Sequence, residues 1–325
     1  MVTSIVPARG RAEPVGLTAA VVVCTSSRRR VALVCDCIDA LLAGDRKPDE
    51  LIVVVDNNRS LASELAGLLP CDVRLLETRR QGLSGARNLG LAACRADVVA
   101  FVDDDATVDV RWLSTTLAAF ADPHILAVGG PVVPRWGGER RWMCDALLWV
   151  VGCTYSGHRE DAGPIRNPIG CNMAFRRREL VAVGSFATSF GKRGNALQTC
   201  DETELGLRLE RAHGAGRIRY VPEARVHHFV PTTRVSWRHL IRRSLAEGIA
   251  KGRLQRIYSL PAVGPERSYA RLLVTATVPR LLLDGVRRGD RQSALGAGAI
   301  LASLLVTAAG FAGGLARERR RDAPQ

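Results

Sequence analysis

Three adjacent aspartates close an apolar run in FVDDDATV, residues 101–108. Like charges crowded at a strand end repel, so the triplet calls for a compensating charge. Alternate residues of an extended segment point the same way, which aims Asp103 and Asp105 at one site and Asp104 elsewhere. Two carboxylates on one side suit Mg²⁺ or Mn²⁺, ions that complete their shell with waters and substrate phosphates. A second acidic set, Asp201, Glu202 and Glu204, opens the helix-like stretch DETELGLRL, where the positive end of the helix dipole favours carboxylates. A carboxylate there, beside a metal-bound diphosphate, can act as a general base, and spacing leaves Asp201 and Glu202 as equal candidates. Arg208, on the same helix, is placed to orient that acid.

His227 and His228 end an apolar strand, so at most one of them faces the site, as a third metal ligand or a phosphate contact. Arg87, in SGARNLG after a Gly-containing turn, is expected to touch substrate, because guanidinium forks match phosphate oxygens. Arg242 and Arg243 lie on a basic amphipathic helix and suit either phosphates or an anionic membrane surface.

These groups need elements to hold them. Residues 15–27, the run ELIVVVDNN, the run DVRLLETRR and DVVAFVDDD read as strands, separated by helical stretches at VALVCDCIDALLAG, SLASELAGLL and SGARNLGLAAC. Continuous apolar strands alternating with amphipathic helices imply a parallel sheet covered on both faces. Polar residues gather after the strands at Thr25–Arg28, Asp56–Asn58 and Asp103–Asp105, the edge where open α/β sheets bind ligands. Further on, ILAVGGPVVPRW reads as a strand leading into a loop, and RIRYVPEARVHHFVP as strand, turn and strand. Neither GxGxxG nor GxxxxGK[ST] occurs, which disfavours a dinucleotide fold or a P-loop.

The ordered set VVVCTSSRR, LIVVVDNN, RRQGLSGARNLGL, VVAFVDDDA, GCNMAFRRREL, CDETELGLRL and YVPEARVHHF resembles glycosyltransferase family 2, the inverting sugar-nucleotide transferases of GT-A fold. The resemblance spans about residues 18–250 and implies an α/β domain over 17–258, between a disordered leader (1–16) and C-terminal apolar helices with a basic tail (266–325). It implies a nucleoside-diphosphate sugar donor contacted by Thr25, Ser26, Asp56, Arg87, Asn88, Asp103 and Asp104. Cys24–Ser27 lacks the proline and aromatic usual at that strand end, which puts stacking on the base in doubt. A Mg²⁺ or Mn²⁺ ion would rest on Asp105 with Asp103 and His228, the histidine that matches the family position better than His227. Asp201–Glu202 matches the family's Glu-Asp pair with the acids exchanged, so Glu202 stands where the catalytic aspartate is usual. Gly170 and Asn172 fall in the segment that lines the acceptor side, with Arg208 and Arg242 assigned there too. The QxxRW motif of processive synthases is missing, which implies a single transfer.

Forty-six Lys and Arg against 32 acids leave a net charge of +14, suited to anionic partners. Nucleic acid is a poor fit, because only 5% of residues are aromatic and basic stretches lack interleaved rings. The nine cysteines, with no CxxC, read as reduced thiols in a cytoplasmic setting. Residues 294–315 carry no charge and RERRR follows; the run is long enough to span a bilayer, with its basic flank on the cytoplasmic side. The expected partners are therefore a sugar donor, a glycan or lipid-linked acceptor, and a membrane surface or single span. The competing readings are a sugar nucleotidyltransferase, whose first loop should be richer in glycine than TSSRRR, and a membrane-attached scaffold without catalysis.

Overall fold

The computed structural model describes residues 16–79, 82–191, 199–258 and 264–316. The expected leader therefore lies outside the described residues except for Gly16, as does the basic tail after Ala316. In chain order the first half runs β1 (Ala19–Thr25), α1 (Val31–Leu42), β2 (Glu50–Asp56), α2 (Arg59–Ala66), β3 (Val73–Thr78), α3 (Leu83–Ala93), β4 (Val98–Asp103), β5 (Ala106–Val108), α4 (Trp112–Ala119), β6 (Ala127–Gly129) and β7 (Val132–Trp136). It continues with β8 (Gly163–Pro164), β9 (Asn172–Arg176), α5 (Arg177–Ala182), α6 (Asp201–His213), β10 (Ile218–Tyr220) and β11 (Val226–Val230). Four further α-helices follow among the described residues: α7 (Trp237–Tyr258), α8 (Gly264–Leu272), α9 (Val278–Arg288) and α10 (Arg291–Ala316).

One sheet carries the order β3-β2-β1-β4-β9-β6-β10-β8, and a second carries β5-β11-β7. In the first, β3, β2, β1 and β4 pair in parallel, as expected from their continuous apolar runs. Strand β9 then enters antiparallel between β4 and β6, and β8 runs antiparallel on the far edge. The period of two sorts each strand's residues into two cores. Val21, Val23, Val53 and Val55 pack on one face with Val34, Ile38 and Leu41 of α1 and Leu61 and Leu65 of α2. Ala20, Val22, Ile52 and Val54 pack on the other face, with Leu91 of α3 and Leu205 and Leu209 of α6. Each such fully buried Val, Leu or Ile contributes about 1.5–3 kcal/mol, so these faces fix where the strand ends lie.

One expectation is corrected. The segment ILAVGGPVVPRW, read as a strand leading into a loop, forms two strands, β6 and β7, which belong to different sheets. The break is at Gly130, where a Cβ would lie 2.0 Å from the Ala224 carbonyl oxygen, so the chain turns where only glycine fits. The run around Pro279 is helical from Gly264 to Arg288 but widens to a π-turn over Leu273–Thr277. Proline lacks the N–H and its ring crowds the preceding turn, which accounts for the widening.

The C-terminal helices fold back onto the domain. Helix α10 lies along α7 at glycine contacts: a Cβ on Gly248 would fall 2.2 Å from the Thr307 oxygen, and one on Gly314 2.3 Å from the Ile249 oxygen. Among the described residues α10 is the one helix long and apolar enough to cross a membrane.

Candidate active site

The register sets the site. Cys24 pairs with Asp103 and Thr25 with Val55, so the C-terminal ends of β1, β2 and β4 form one rim. Asp105 follows β4 at the turn into β5, and β11 pairs with β5 so that His228 sits opposite Ala106. The Asp105 carbonyl also accepts the Phe229 N–H at 2.8 Å, which locks the two segments together. Asp103, Asp105 and His228 thereby bring one ligand atom each within 4.8 Å of one another.

His228 Nε2 lies 3.2 Å from Asp105 Oδ1 but out of hydrogen-bonding alignment, and that buried oxygen has no hydrogen bond. Nε2 instead lies 3.1 Å from Arg234 Nη1. A lone carboxylate oxygen and an imidazole nitrogen facing one space, with Asp103 beside them, fit a divalent cation. On the far side of the ring, Cys153 Sγ is 3.6 Å from Nδ1, in position to fix the tautomer. Burial pushes the Cys153 thiol up to about 12, so it remains protonated.

Asp105 Oδ2 is held by Arg30 at 3.1 Å and Arg234 at 3.3 Å. Burial alone would raise its pKa; His228, Arg30 and Arg234 outweigh it and hold the carboxyl well below the usual range. Asp104, assigned to the donor from sequence, is buried and paired with Arg30 instead. Burial pushes it up to about 6 against the pull of Arg30. The triplet is thus split as strand alternation requires, and β5 stands between it and the next helix, so it caps nothing.

Arg87 joins this cluster to the second acidic set. Its guanidinium, 2% exposed, donates to Asp201 Oδ2 at 2.8 Å and to the Gly170 carbonyl at 3.0 Å. Asp103 lies 3.5 Å and Glu202 3.9 Å from the same group. Asp201 is buried in this pair, whereas Glu202 keeps 21% of its side chain open. Burial, reinforced by the neighbouring Asp201 charge and only partly offset by Arg87, pushes the Glu202 carboxyl up to about 8. Cys200, just before α6, is left-handed at φ 72°, a strained backbone that launches the helix with both acids at its first turn. Asp103, Gly170, Asp201, Glu202 and His228 all line one cavity of about 750 Å³.

The sequence profile of glycosyl transferase family 2 matches residues 20–183. The chain belongs to this family. It is 30% identical over 266 residues to the glucosyl-dolichyl phosphate glucuronosyltransferase of Haloferax volcanii, covering 80% of this chain and 85% of that one. It is 31% identical over 216 residues to the succinoglycan biosynthesis protein ExoM of Rhizobium meliloti, covering 62% and 64%. In fold it is similar to the mannosyltransferase PcManGT of Pyrobaculum calidifontis, solved with GDP-Man and Mn²⁺, with a TM-score of 0.60 at 20% identity over 96% of this chain and 89% of that one. The architecture is accordingly of GT-A type, and the protein is a glycosyltransferase.

In this family 2 enzyme the remaining sequence-assigned residues fall in two groups. Thr25 is buried beneath the rim and Ser26 exposed on it, while Asp56 accepts the Gly82 N–H at 3.0 Å. Gly170 lies directly under Glu202. Asn88, Asn172 and Arg208 serve the scaffold. Asn88 clamps Phe186 through its N–H and carbonyl, at 2.9 and 2.8 Å. Asn172 is buried and accepts from Trp112 while donating to the Pro131 and Ala224 carbonyls. Arg208 pairs with Glu204 and the Val183 and Ser185 carbonyls rather than with the site acids. Arg242 is exposed on α7, and its neighbour Arg243 lines the cavity. His227 faces the other way, onto Asp109 at 2.7 Å.

Reading the residues missed Arg30 and Arg234, which hold Asp105, and Arg166, Lys251 and Glu266, which line the cavity's far side. Arg30 had a local signal, as one of three arginines just past the first strand. Arg166 and Glu266 are separated by 100 positions and had none.

Proposed function

We propose that this glycosyltransferase is an inverting enzyme that moves one sugar from a nucleoside-diphosphate sugar to a hydroxyl of a lipid-linked or cell-envelope glycan, at the cytoplasmic face of a membrane. The observation that carries this reading is Arg87. One buried guanidinium ties Asp103 of the cation cluster to the Asp201–Glu202 pair across a single cavity, so the donor diphosphate and the acceptor base face one another. The names of the Haloferax and Rhizobium relatives support a lipid-linked or envelope glycan acceptor. The apolar, solvent-facing side of α10 supports membrane contact.

A divalent ion, Mg²⁺ or Mn²⁺, at Asp103, Asp105 and His228 would neutralise charge developing on the departing diphosphate. Glu202 takes the proton of the acceptor hydroxyl, whose oxygen forms the new bond to the anomeric carbon. The bond from that carbon to the diphosphate oxygen breaks on the opposite face, and its electron pair leaves with the nucleoside diphosphate. One displacement inverts the configuration. Glu202 suits the task because a base is most effective with a pKa near the working pH, and its carboxyl is pushed up to about 8. Asp201 is the positioning group: paired with Arg87, it keeps that guanidinium between the two acidic sets. Arg30 and Arg234 hold Asp105 ionised.

The test is a panel of nucleotide sugars incubated with and without Mn²⁺, read by release of nucleoside diphosphate and by proton NMR of the product's anomeric coupling. Metal-dependent release with inverted configuration supports the reading. Retained configuration, or release indifferent to the metal, overturns it.

A further inference from the structure

Beyond Glu202 the cavity continues into a bay of opposite character. Lys251, only 6% exposed, lies 3.3 Å from the hydroxyl of Thr203, the residue next to Glu202 on α6. Arg166 and Arg243 stand beside it on the cavity wall. Glu247 faces Arg243 at 3.2 Å and Lys251 at 3.6 Å. A second carboxylate arrives from α8. Glu266 takes both nitrogens of the Arg166 fork, at 2.6 and 2.9 Å, and the Lys251 ammonium at 2.7 Å.

Those three donors around one pair of oxygens are the arrangement that also grips a phosphate. Without Glu266, the Arg166 fork would lose two contacts and Lys251 its nearest carboxylate, a gap that the oxygens of a phosphate group can fill. Helix α8 has no fully buried residue; this ion-pair set, the Tyr269 hydroxyl on the Ala146 carbonyl and the Tyr269 ring against Tyr155 at 4.9 Å hold it down. Past the bay the wall turns apolar, with Leu273, Ile300 and Phe311.

We propose that Arg166 and Lys251 bind the phosphate of an amphiphilic acceptor whose apolar chain runs along Leu273, Ile300 and Phe311, and that Glu266 is a built-in competitor which this phosphate displaces. The proposal rests on the transfer reading above and names the acceptor's chemistry. It places the acceptor's anion one helix residue from the base, with its tail directed at α10.

The full chain is titrated with farnesyl phosphate, farnesol and inorganic phosphate, followed by tryptophan fluorescence, since Trp149 lines the cavity. Farnesyl phosphate should bind about tenfold tighter than farnesol or inorganic phosphate, and Glu266→Gln should tighten it by roughly another tenfold. Lys251→Met should erase the preference for the phosphate over the alcohol. Because Lys251 is buried, Arg166→Lys is the second variant; it keeps the charge, loses the fork, and should weaken farnesyl phosphate alone. Equal binding of farnesol and farnesyl phosphate overturns the phosphate site. Inorganic phosphate binding as tightly as farnesyl phosphate overturns the amphiphile. Unchanged or weaker binding to Glu266→Gln overturns the competitor. Failure of the wild-type chain to release nucleoside diphosphate from any donor, with the farnesyl phosphate preference intact, counts against the transfer reading and leaves the subsite standing.

Discussion

Gly170 and Glu202 approach so closely that a Cβ on residue 170 would lie 1.9 Å from Glu202 Oε1. The glycine therefore sets where the carboxylate can sit, and its carbonyl holds Arg87 at the same time. Gly170→Ala should push the Glu202 carboxylate aside. A displacement of about 1 Å at a reacting group lowers turnover on the order of 10²-fold. We expect kcat to fall by that factor with donor KM little changed, measured by nucleoside diphosphate release under saturating donor.

The two acids of α6 should separate cleanly. Glu202→Gln removes a base and should lower kcat by roughly 10²–10⁴-fold while the protein stays folded. Asp201→Asn leaves Arg87 buried without its closest partner, and breaking a buried pair from one side costs about 3–5 kcal/mol. Thermal unfolding of the two variants checks this: a large loss of Tm belongs to Asp201→Asn and a small one to Glu202→Gln. The reverse order would exchange the roles assigned here.

Glu202 also makes a pH signature. In the fold its carboxyl is raised from 4.5 to about 8, so the folded chain holds that proton more tightly than the unfolded chain does. Stability from this group is full below the unfolded value and is lost as pH rises through 4.5 toward about 8. Glu202→Gln cannot lose it, so its Tm relative to wild type should climb across that window. Over the same window wild-type kcat/KM should rise with pH and level off above about 8, as the base becomes ionised.

Asp105 is where the proposed cation would meet the protein's own charges. Asp105→Asn removes that residue's negative charge, replaces one of its two oxygens by an NH₂ and leaves Arg30 and Arg234 facing a neutral amide. Calorimetric titration should show Mn²⁺ binding in the presence of nucleoside diphosphate weakened at least about tenfold, the loss typical of a disturbed metal shell. Chelation of wild type should reproduce the loss, and Mn²⁺ should restore it. An unchanged titration for Asp105→Asn would remove that residue from the cation site.

The strand and helix succession of the first half was plain in the chain, because buried parallel strands are apolar throughout and their helices are amphipathic. The insertion of β9 antiparallel between β4 and β6 was not. Its apolar run NMAFR fits either direction, and direction is set by where the chain returns. Asn88 and Asn172 look alike in sequence to substrate-binding amides. Only their partners, Phe186 for one and Trp112, Pro131 and Ala224 for the other, show them to be clamps.

What the sequence by itself determined was local: which carboxylates end a strand, which acids open a helix, and that His227 and His228 must face opposite ways. Period and spacing decide such matters, since they act within a few residues. The tertiary structure alone decided which local groups meet. It set His228 against Asp105, placed Arg87 between Asp103 and Asp201, left Glu202 rather than Asp201 open to the cavity, and brought Glu266 onto Arg166 across 100 positions. Those meetings depend on sheet order and on the return of the C-terminal helices, which packing selects and no short stretch of chain encodes.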